Sequence, residues 1–482
     1  MKIYRATRIE TGAGADHAAP APDAMVVGDG RILALGQAES LAQRYPTARP
    51  RNLGRAIILP GFVNAHQHGR GLSQIQLGLP DDALEPWIAR RCGWPAPDIY
   101  GLTRLAAEQM IRNGVTATLH ANYSYGTGDY ETELRETIRA YRDSGIRATI
   151  CLGYADRGAL IYPPGDEGAF RAALPPGAQA LLAGARPAYL PLPETLALMA
   201  RLLDECADTP RITLAYGPAA PQWVSDAAWR DIAADAAHRG LGIHFHLLES
   251  AAQARALDQL YPAGVMAHLR GLGVFEAPVS IAHFTHASAP EIKAARQSGV
   301  TIVANPGANM RLCNGPPPLA HWRAAGLDIA VGTDNCALDD NEDYLSELRL
   351  AGLLCRGPDC PALPADALLA MGTRQGTKAA FLPGTGTLAP GQPADFTALS
   401  LGPARSPWSD PDCDALALIL ARATGEHVIR TVIGGETLYG PQANRADYRL
   451  SMPAPPGPKA RAAAEALAQA VRAHYRPLRS GG

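Results

Sequence analysis

The chain lacks any apolar run approaching the roughly 18–20 residues that cross a bilayer, which argues against a membrane-spanning helix. It also lacks net charge of either sign. Its 44 Lys plus Arg against 46 Asp plus Glu leave a formal charge of −2, with a pI near 6.7, so there is no electrostatic footprint for nucleic acid. Eight cysteines scattered over 482 residues make no disulfide framework. The closest pair, Cys355 and Cys360, reads as reduced thiols of a cytoplasmic protein. The first residues, Met1–Ala6, have no apolar core of a signal peptide and alternate like a strand. No Gly-rich dinucleotide fingerprint follows any strand-like run, which weighs against an open doubly wound sheet.

What is present is a repeated phrase, an amphipathic helical stretch closed by Gly and followed at once by an apolar strand. It occurs at Asn113-Gly114-Val115, Ser144-Gly145-Ile146, Arg239-Gly240-Leu241, Ser298-Gly299-Val300 and Ala325-Gly326-Leu327. Glycine supplies the left-handed C-cap, and a strand buried on both faces reads as a continuous apolar run. Leu102, Leu105, Ala106 and Ile111 share one helix face, as do Leu134, Ile138 and Tyr141. Strands at 57–63, 211–216 and 279–284 bring the count to eight, which predicts an α/β fold, a (β/α)8 barrel. Residues 1–56 hold short β-like runs with a hairpin signal at Gly28-Asp29-Gly30. Similar material returns at Phe396–Leu401, Val428–Gly434 and Glu436–Tyr439. The expected organisation is a small β-sandwich domain from both chain ends (1–58 and 386–450), a barrel (59–385) and a helical tail (451–482). The Pro-, Gly- and Ala-rich segment 156–198 breaks the alternation and reads as a lid or a surface excursion. In the tail, Lys459–His474 reads as a helix with Ala464, Leu467 and Val471 on one face, able to dock on its own body or on another subunit.

Barrel sites sit where the strands end, and these ends are rich in imidazole. The run Ile57–His68 ends in His66 and His68, whose two-residue spacing puts both side chains on one face of a strand. Such a pair is half of a zinc or iron site. Further strand ends deliver His120, His244 and His246 with Glu249 after them, His283 with His286, and Asp334. Imidazoles at four strand ends with a carboxylate at a fifth point to a metal. His244 reads as a packing residue, His120 as a pocket residue and His286 as a loop residue. The acidic run Asp339, Asp340, Glu342 and Asp343 reads as a solvated helix start.

These stretches resemble the amidohydrolase superfamily, in its cytosine deaminase, guanine deaminase and s-triazine hydrolase branch. The resemblance rests on Pro60–His68, Gly217-Pro218, His246-Leu247-Leu248-Glu249, Ala282-His283, Asn305–Leu312, Gly332-Thr333-Asp334 and Gly386–Asp395, in order across residues 20–440. It implies that His66, His68, His246 and Asp334 hold one divalent metal ion, zinc in preference to iron. Three imidazoles and a carboxylate leave a place for water, as catalytic sites require. It further implies that Asp334 takes a proton from the attacking water, Glu249 shuttles protons, and His283 steadies the electrophile. Binuclear relatives bridge their metals with a carboxylated lysine after strand four. The lysines here are Lys2, Lys293, Lys378 and Lys459, none near Tyr216-Gly217, so a mononuclear site is expected.

The match breaks at Gly217-Pro218-Ala219-Ala220-Pro221, where Ala219 stands in the place of a substrate-facing histidine and weighs against an adenosine-type ligand. Arg70, Gln74, His120, Tyr123 and Asn309 are the expected substrate contacts. The expected activity is hydrolysis of a non-peptide C–N bond in a small molecule, foremost deamination of an N-heterocycle. Amide, urea or carbamate cleavage is the alternative, and a catalytically silent scaffold a remote one. The small zinc-deaminase fold that acts on polynucleotides is excluded, because no Cys-x-x-Cys occurs. The expected assembly is a homo-oligomer, a dimer or higher.

Overall fold

The computed structural model describes residues 1–14, 21–158, 160–185, 188–334, 340–357, 360–443 and 448–476. Eight parallel strands form its centre: β1 (Phe62–Gln67), β2 (Val115–Ala121), β3 (Arg147–Tyr154), β4 (Ile212–Pro218), β5 (Ile243–Leu247), β6 (Val279–His283), β7 (Thr301–Ala304) and β8 (Asp328–Val331). They are ordered in sequence, and a parallel bridge between Gln67 and Asp334 brings the last strand back to the first. This is the (β/α)8 arrangement that the alternation predicts. Its helices start and stop as their end residues dictate. Asp129 caps Tyr130–Ser144 by accepting from the Thr132 amide, and Gly145 ends that helix at a φ of 76°. Leu134 and Tyr141 on its inner face are fully buried.

The apolar run expected as the first barrel strand is two strands in two sheets. Ala56–Pro60 pairs antiparallel with Phe396–Ser400, in a five-stranded sheet built from both chain ends. Only Phe62–Gln67 enters the barrel. Hydropathy cannot separate them, because Ile57, Ile58 and Leu59 are as completely buried as Phe62. The break is Gly61, where an added Cβ would sit 2.0 Å from Thr116 Oγ1. The expected domain boundary at 58/59 therefore falls inside a strand. A four-stranded sheet, Ala24–Gly28, Arg31–Gly36, Lys2–Arg5 and Arg49–Asn52, lies beyond. The barrel is tied to the five-stranded sheet by Arg147, which holds the buried Asp395 carboxylate at 2.9 Å, while the Gly434 amide donates to the same group.

Segment 156–198 contains two short helices, Glu167–Ala172 and Pro176–Ala183, and the start of Leu192–Cys206. Leu160, Ile161, Tyr162 and Ala178 are buried against the tail helix Pro458–Tyr475, whose Leu467, Ala468 and Val471 are equally buried. The tail therefore docks on its own chain. None of the described helices is long and apolar enough to cross a membrane.

Candidate metal centre and substrate cleft

The side chains that the strands aim past their C-terminal ends converge on one point. Nitrogens of His66, His68 and His246 lie within 4.8 Å of one another, as do ligand atoms of His66, His283 and Asp334. Asp334 Oδ1 is 3.1 Å from His68 Nε2 and 3.5 Å from His66 Nε2. The other nitrogen of each ring is engaged elsewhere. His68 Nδ1 donates to the Ala121 carbonyl at 2.6 Å, and His246 Nδ1 lies 3.2 Å from both the Ala219 carbonyl and Tyr123 Oη. A carbonyl accepts only, so the proton sits on Nδ1 and the Nε2 lone pair faces inward. His66 Nδ1 meets His244 Nε2 at 2.8 Å, and His244 Nδ1 meets Ser280 Oγ at 2.7 Å, a relay that accommodates the same tautomer, because a hydroxyl can accept from His244.

Electrostatics point the same way. Burial holds His66 neutral, with its pKa down to about 4, and lowers His246 well below the usual range. Burial alone would raise the Asp334 carboxyl, but its close contacts with the His66 and His68 rings hold it well below an ordinary carboxylate. Two atoms at the centre, His66 Nε2 and Asp334 Oδ1, are buried with no hydrogen-bond partner. Neutral imidazole lone pairs and an ionised carboxylate, converging and otherwise unsatisfied, fit a divalent cation. The chain also accepts backbone strain here. Asp334, His283 and Leu248 have φ of 55°, 71° and 52°, a region costly for residues with side chains and concentrated at functional sites. Gly332 leaves the room this needs, since a Cβ there would lie 2.7 Å from the His66 carbonyl oxygen.

Glu249 and His283 stand beside this centre. Glu249 Oε1 is 3.6 Å from His283 Nε2, which is 3.7 Å from Asp334 Oδ2. Burial pushes the Glu249 carboxyl up to about 7. Asn314 Nδ2 donates to Oε1 at 3.1 Å, and Gln253 Nε2 approaches Oε2 at 3.5 Å. His283 Nδ1 donates to Asn309 Oδ1 at 2.7 Å. Above these groups opens a cleft of about 1510 Å3, lined in its depth by His68, Tyr123, His246, Glu249, His283 and Asp334.

Among the expected substrate contacts, Arg70, Gln74 and Tyr123 line the cleft. Gln74 is fully buried with both amide atoms unpaired, and the Arg70 guanidinium lies 5.0 Å over the Tyr125 ring. His120 and Asn309 do not line it. His120 is held by Tyr141 Oη at 2.8 Å and Asn122 at 3.3 Å, and Asn309 reaches His283 instead of the open space. His286 bonds the Asn314 carbonyl at 2.9 Å, as a loop residue would. Of the acidic run, Asp343 caps Tyr344–Leu354, but Glu342 turns inward to Thr333 Oγ1 at 2.7 Å and so supports the strand end that presents Asp334. Asp339 lies outside the described residues. Sequence reasoning did not find the supporting set Ser280, Gln253 and Asn314. Only Gln253, four residues past Glu249 on a helix, carries a signal, the i,i+4 spacing.

The amidohydrolase family model matches residues 57–438. A 5-methylthioadenosine/S-adenosylhomocysteine deaminase of Nitratidesulfovibrio vulgaris is 31% identical over 427 residues, 86% of this chain and 87% of that protein. Among solved structures, a zinc-bound adenosine deaminase of Xanthomonas campestris superposes with a TM-score of 0.74 at 24% identity, covering 98% of each chain. The zinc complex of an atrazine chlorohydrolase of Arthrobacter aurescens gives 0.75 at 24% identity, covering 92% of this chain and 96% of that one.

Proposed function

The chain belongs to the amidohydrolase family, hydrolases of non-peptide C–N bonds, and from that membership we propose that it hydrolytically deaminates a small N-heterocycle at a single zinc ion. One observation carries the reading: the buried Glu249 carboxyl stands against His283, which in turn stands against Asp334, at the edge of a converging set of imidazole nitrogens. His66, His68, His246 and Asp334 would hold the ion. When bound it supplies Lewis acidity and lowers the pKa of water toward neutrality. The absence of lysine among the cleft residues supports a single ion.

The protein's own groups divide the remaining work. Asp334, ionised, accepts a proton from the attacking water. Glu249, whose carboxyl burial keeps readier to hold a proton, donates to the ring nitrogen, and the proton taken up by Asp334 then goes to the departing amine. His283, oriented by Asn309, faces the oxygen that develops charge at the attacked carbon. Burial removes competing water from all three.

The relative from N. vulgaris is a 5-methylthioadenosine/S-adenosylhomocysteine deaminase, which makes those two nucleosides the first substrates to test. Ala219 offers a methyl group where deaminases of the branch it resembles carry a histidine, so the ring has to be read by other groups. Gln74, in the cleft wall with a buried, unspent donor and acceptor, suits a heterocycle edge once its side chain turns outward. The same methyl group and the volume of the cleft favour a second reading, cleavage of an amide, urea or carbamate with a bulkier leaving group. The test is product identity from the zinc-loaded protein, over adenosines, aminopterins, aminopyrimidines and triazines beside aryl amides, ureas and carbamates. Ammonia from a ring substrate supports deamination. An organic amine without ammonia overturns it in favour of the second reading. Seven described cysteines, all free, fit a reducing cytoplasmic setting.

A further inference from the structure

The outer half of the cleft is walled by chain that lies beyond the family match. That match ends at residue 438, yet Met452, Pro453, Pro455 and Arg461 line the same cleft as His246 and Glu249. This strap is fastened along its length. The Ser451 amide donates to Asp98 Oδ2 at 3.2 Å, and the Arg104 guanidinium covers the Tyr448 ring at 5.5 Å. Arg90 pairs with Asp82 at 2.8 Å and with Glu465 of the tail helix at 2.8 Å, and Arg472 pairs with the same Asp82. Tyr475 Oη accepts from the Tyr162 amide at 2.9 Å. Tyr162 Oη in turn donates to Glu85, which takes the hydroxyl of Ser250, the neighbour of Glu249.

The surface so enclosed is apolar and aromatic. Leu79, Trp87, Ile88, Trp94, Leu181 and Met452 face it. Two arginines lie on its indoles, Arg91 at 4.8 Å from the Trp87 ring and Arg461 at 5.4 Å from the Trp94 ring. The second stack joins the tail to the loop after Leu84–Arg90, across the mouth. A small heterocycle at the metal centre leaves this outer space unfilled, and apolar surface of this kind favours a ligand that covers it.

We propose that the outer cleft is a second subsite, with the C-terminal strap as its wall, and that it takes an apolar, preferably aromatic, arm carried by the substrate away from the bond hydrolysed. Trp94, Met452 and Arg461 then set specificity for the arm, without a part in the chemistry. The inference rests on the deamination reading for its substrate and on the wall alone for its binding.

The experiment compares adenosine with 5'-benzylthio-5'-deoxyadenosine on zinc-loaded wild type and on Trp94→Ala and Arg461→Ala, both at half-exposed or exposed positions. The preference for the benzylthio compound, as a ratio of kcat/KM values, should fall about tenfold in each variant, chiefly through KM. An unchanged ratio overturns the proposal. If wild type deaminates neither compound, the deamination reading fails and binding still decides. Quenching of tryptophan fluorescence by the benzylthio compound, weakened about tenfold in Arg461→Ala, supports the subsite. No quenching in wild type, or equal quenching in the variant, overturns it.

Discussion

Replacing Glu249 by Gln separates what this carboxyl does for the reaction from what it costs the fold. Glu249 is 3% exposed, and burial raises its pKa from 4.5 to about 7. A carboxyl raised in the folded state binds its proton more tightly there than in the unfolded chain. Below pH 4.5 both states are protonated and nothing is lost. Between 4.5 and 7 the unfolded chain ionises first, so stability falls as pH rises, and above 7 the loss is complete. At about 1.36 kcal/mol per pH unit, the cost in wild type is about 0.8 kcal/mol at pH 5 and about 3.4 kcal/mol at pH 8.5. Gln carries no such cost. It keeps an oxygen that can accept from Asn314 Nδ2, so the hydrogen bond now at 3.1 Å need not be lost. The variant should therefore gain about 2.5 kcal/mol more over wild type at pH 8.5 than at pH 5. The assay is urea unfolding of metal-stripped protein at the two pH values, because a nearby cation would favour the ionised form. The same substitution should lower turnover by about 100-fold or more, as loss of a general acid does. A gain that does not change with pH would refute the raised pKa, and near-normal turnover would refute the proton shuttle.

Three other outcomes follow from the geometry. His244→Ala removes the hydrogen-bond partner of His66 Nδ1 while leaving the inward nitrogens in place; metal affinity by competition with a chelator should drop about 10–100-fold. Asn309→Leu frees the Nδ1 proton of His283; kcat should fall with little change in metal content, and equal loss of both would place Asn309 in metal retention instead. Asp395→Ala leaves the Arg147 guanidinium, 11% exposed, without its carboxylate; denaturant unfolding should show about 3 kcal/mol of lost stability, the usual cost of breaking a buried pair.

Much of this was legible in the chain because burial on both faces and a Gly after each helix are written residue by residue. The eight strands, the tail helix and the strand-end imidazoles follow from those signals. What stayed hidden depends on which partner a segment meets. Ala56–Pro60 and Phe62–Gln67 have the same hydropathy and belong to different sheets, and only the contact between Gly61 and Thr116 marks the break. His120 ends a strand as His246 does, yet it meets the Tyr141 hydroxyl from a helix and not the cleft. His244 reads as packing by its place in the strand and proves to orient His66, a relation between two strands far apart in sequence. The wall made by Met452–Arg461 was beyond reach for the same reason, since nothing local ties a proline-rich tail to a cleft that starts at His68.

The most direct test of the account is the metal content of the purified protein set against that of His246→Ala. Elemental analysis should find one zinc per wild-type chain and a loss of nearly all of it in the variant, together with hydrolysis. A variant that keeps its full complement of metal, or a wild type that turns over substrate with none, would contradict the assignment of His66, His68, His246 and Asp334 as the centre of this enzyme.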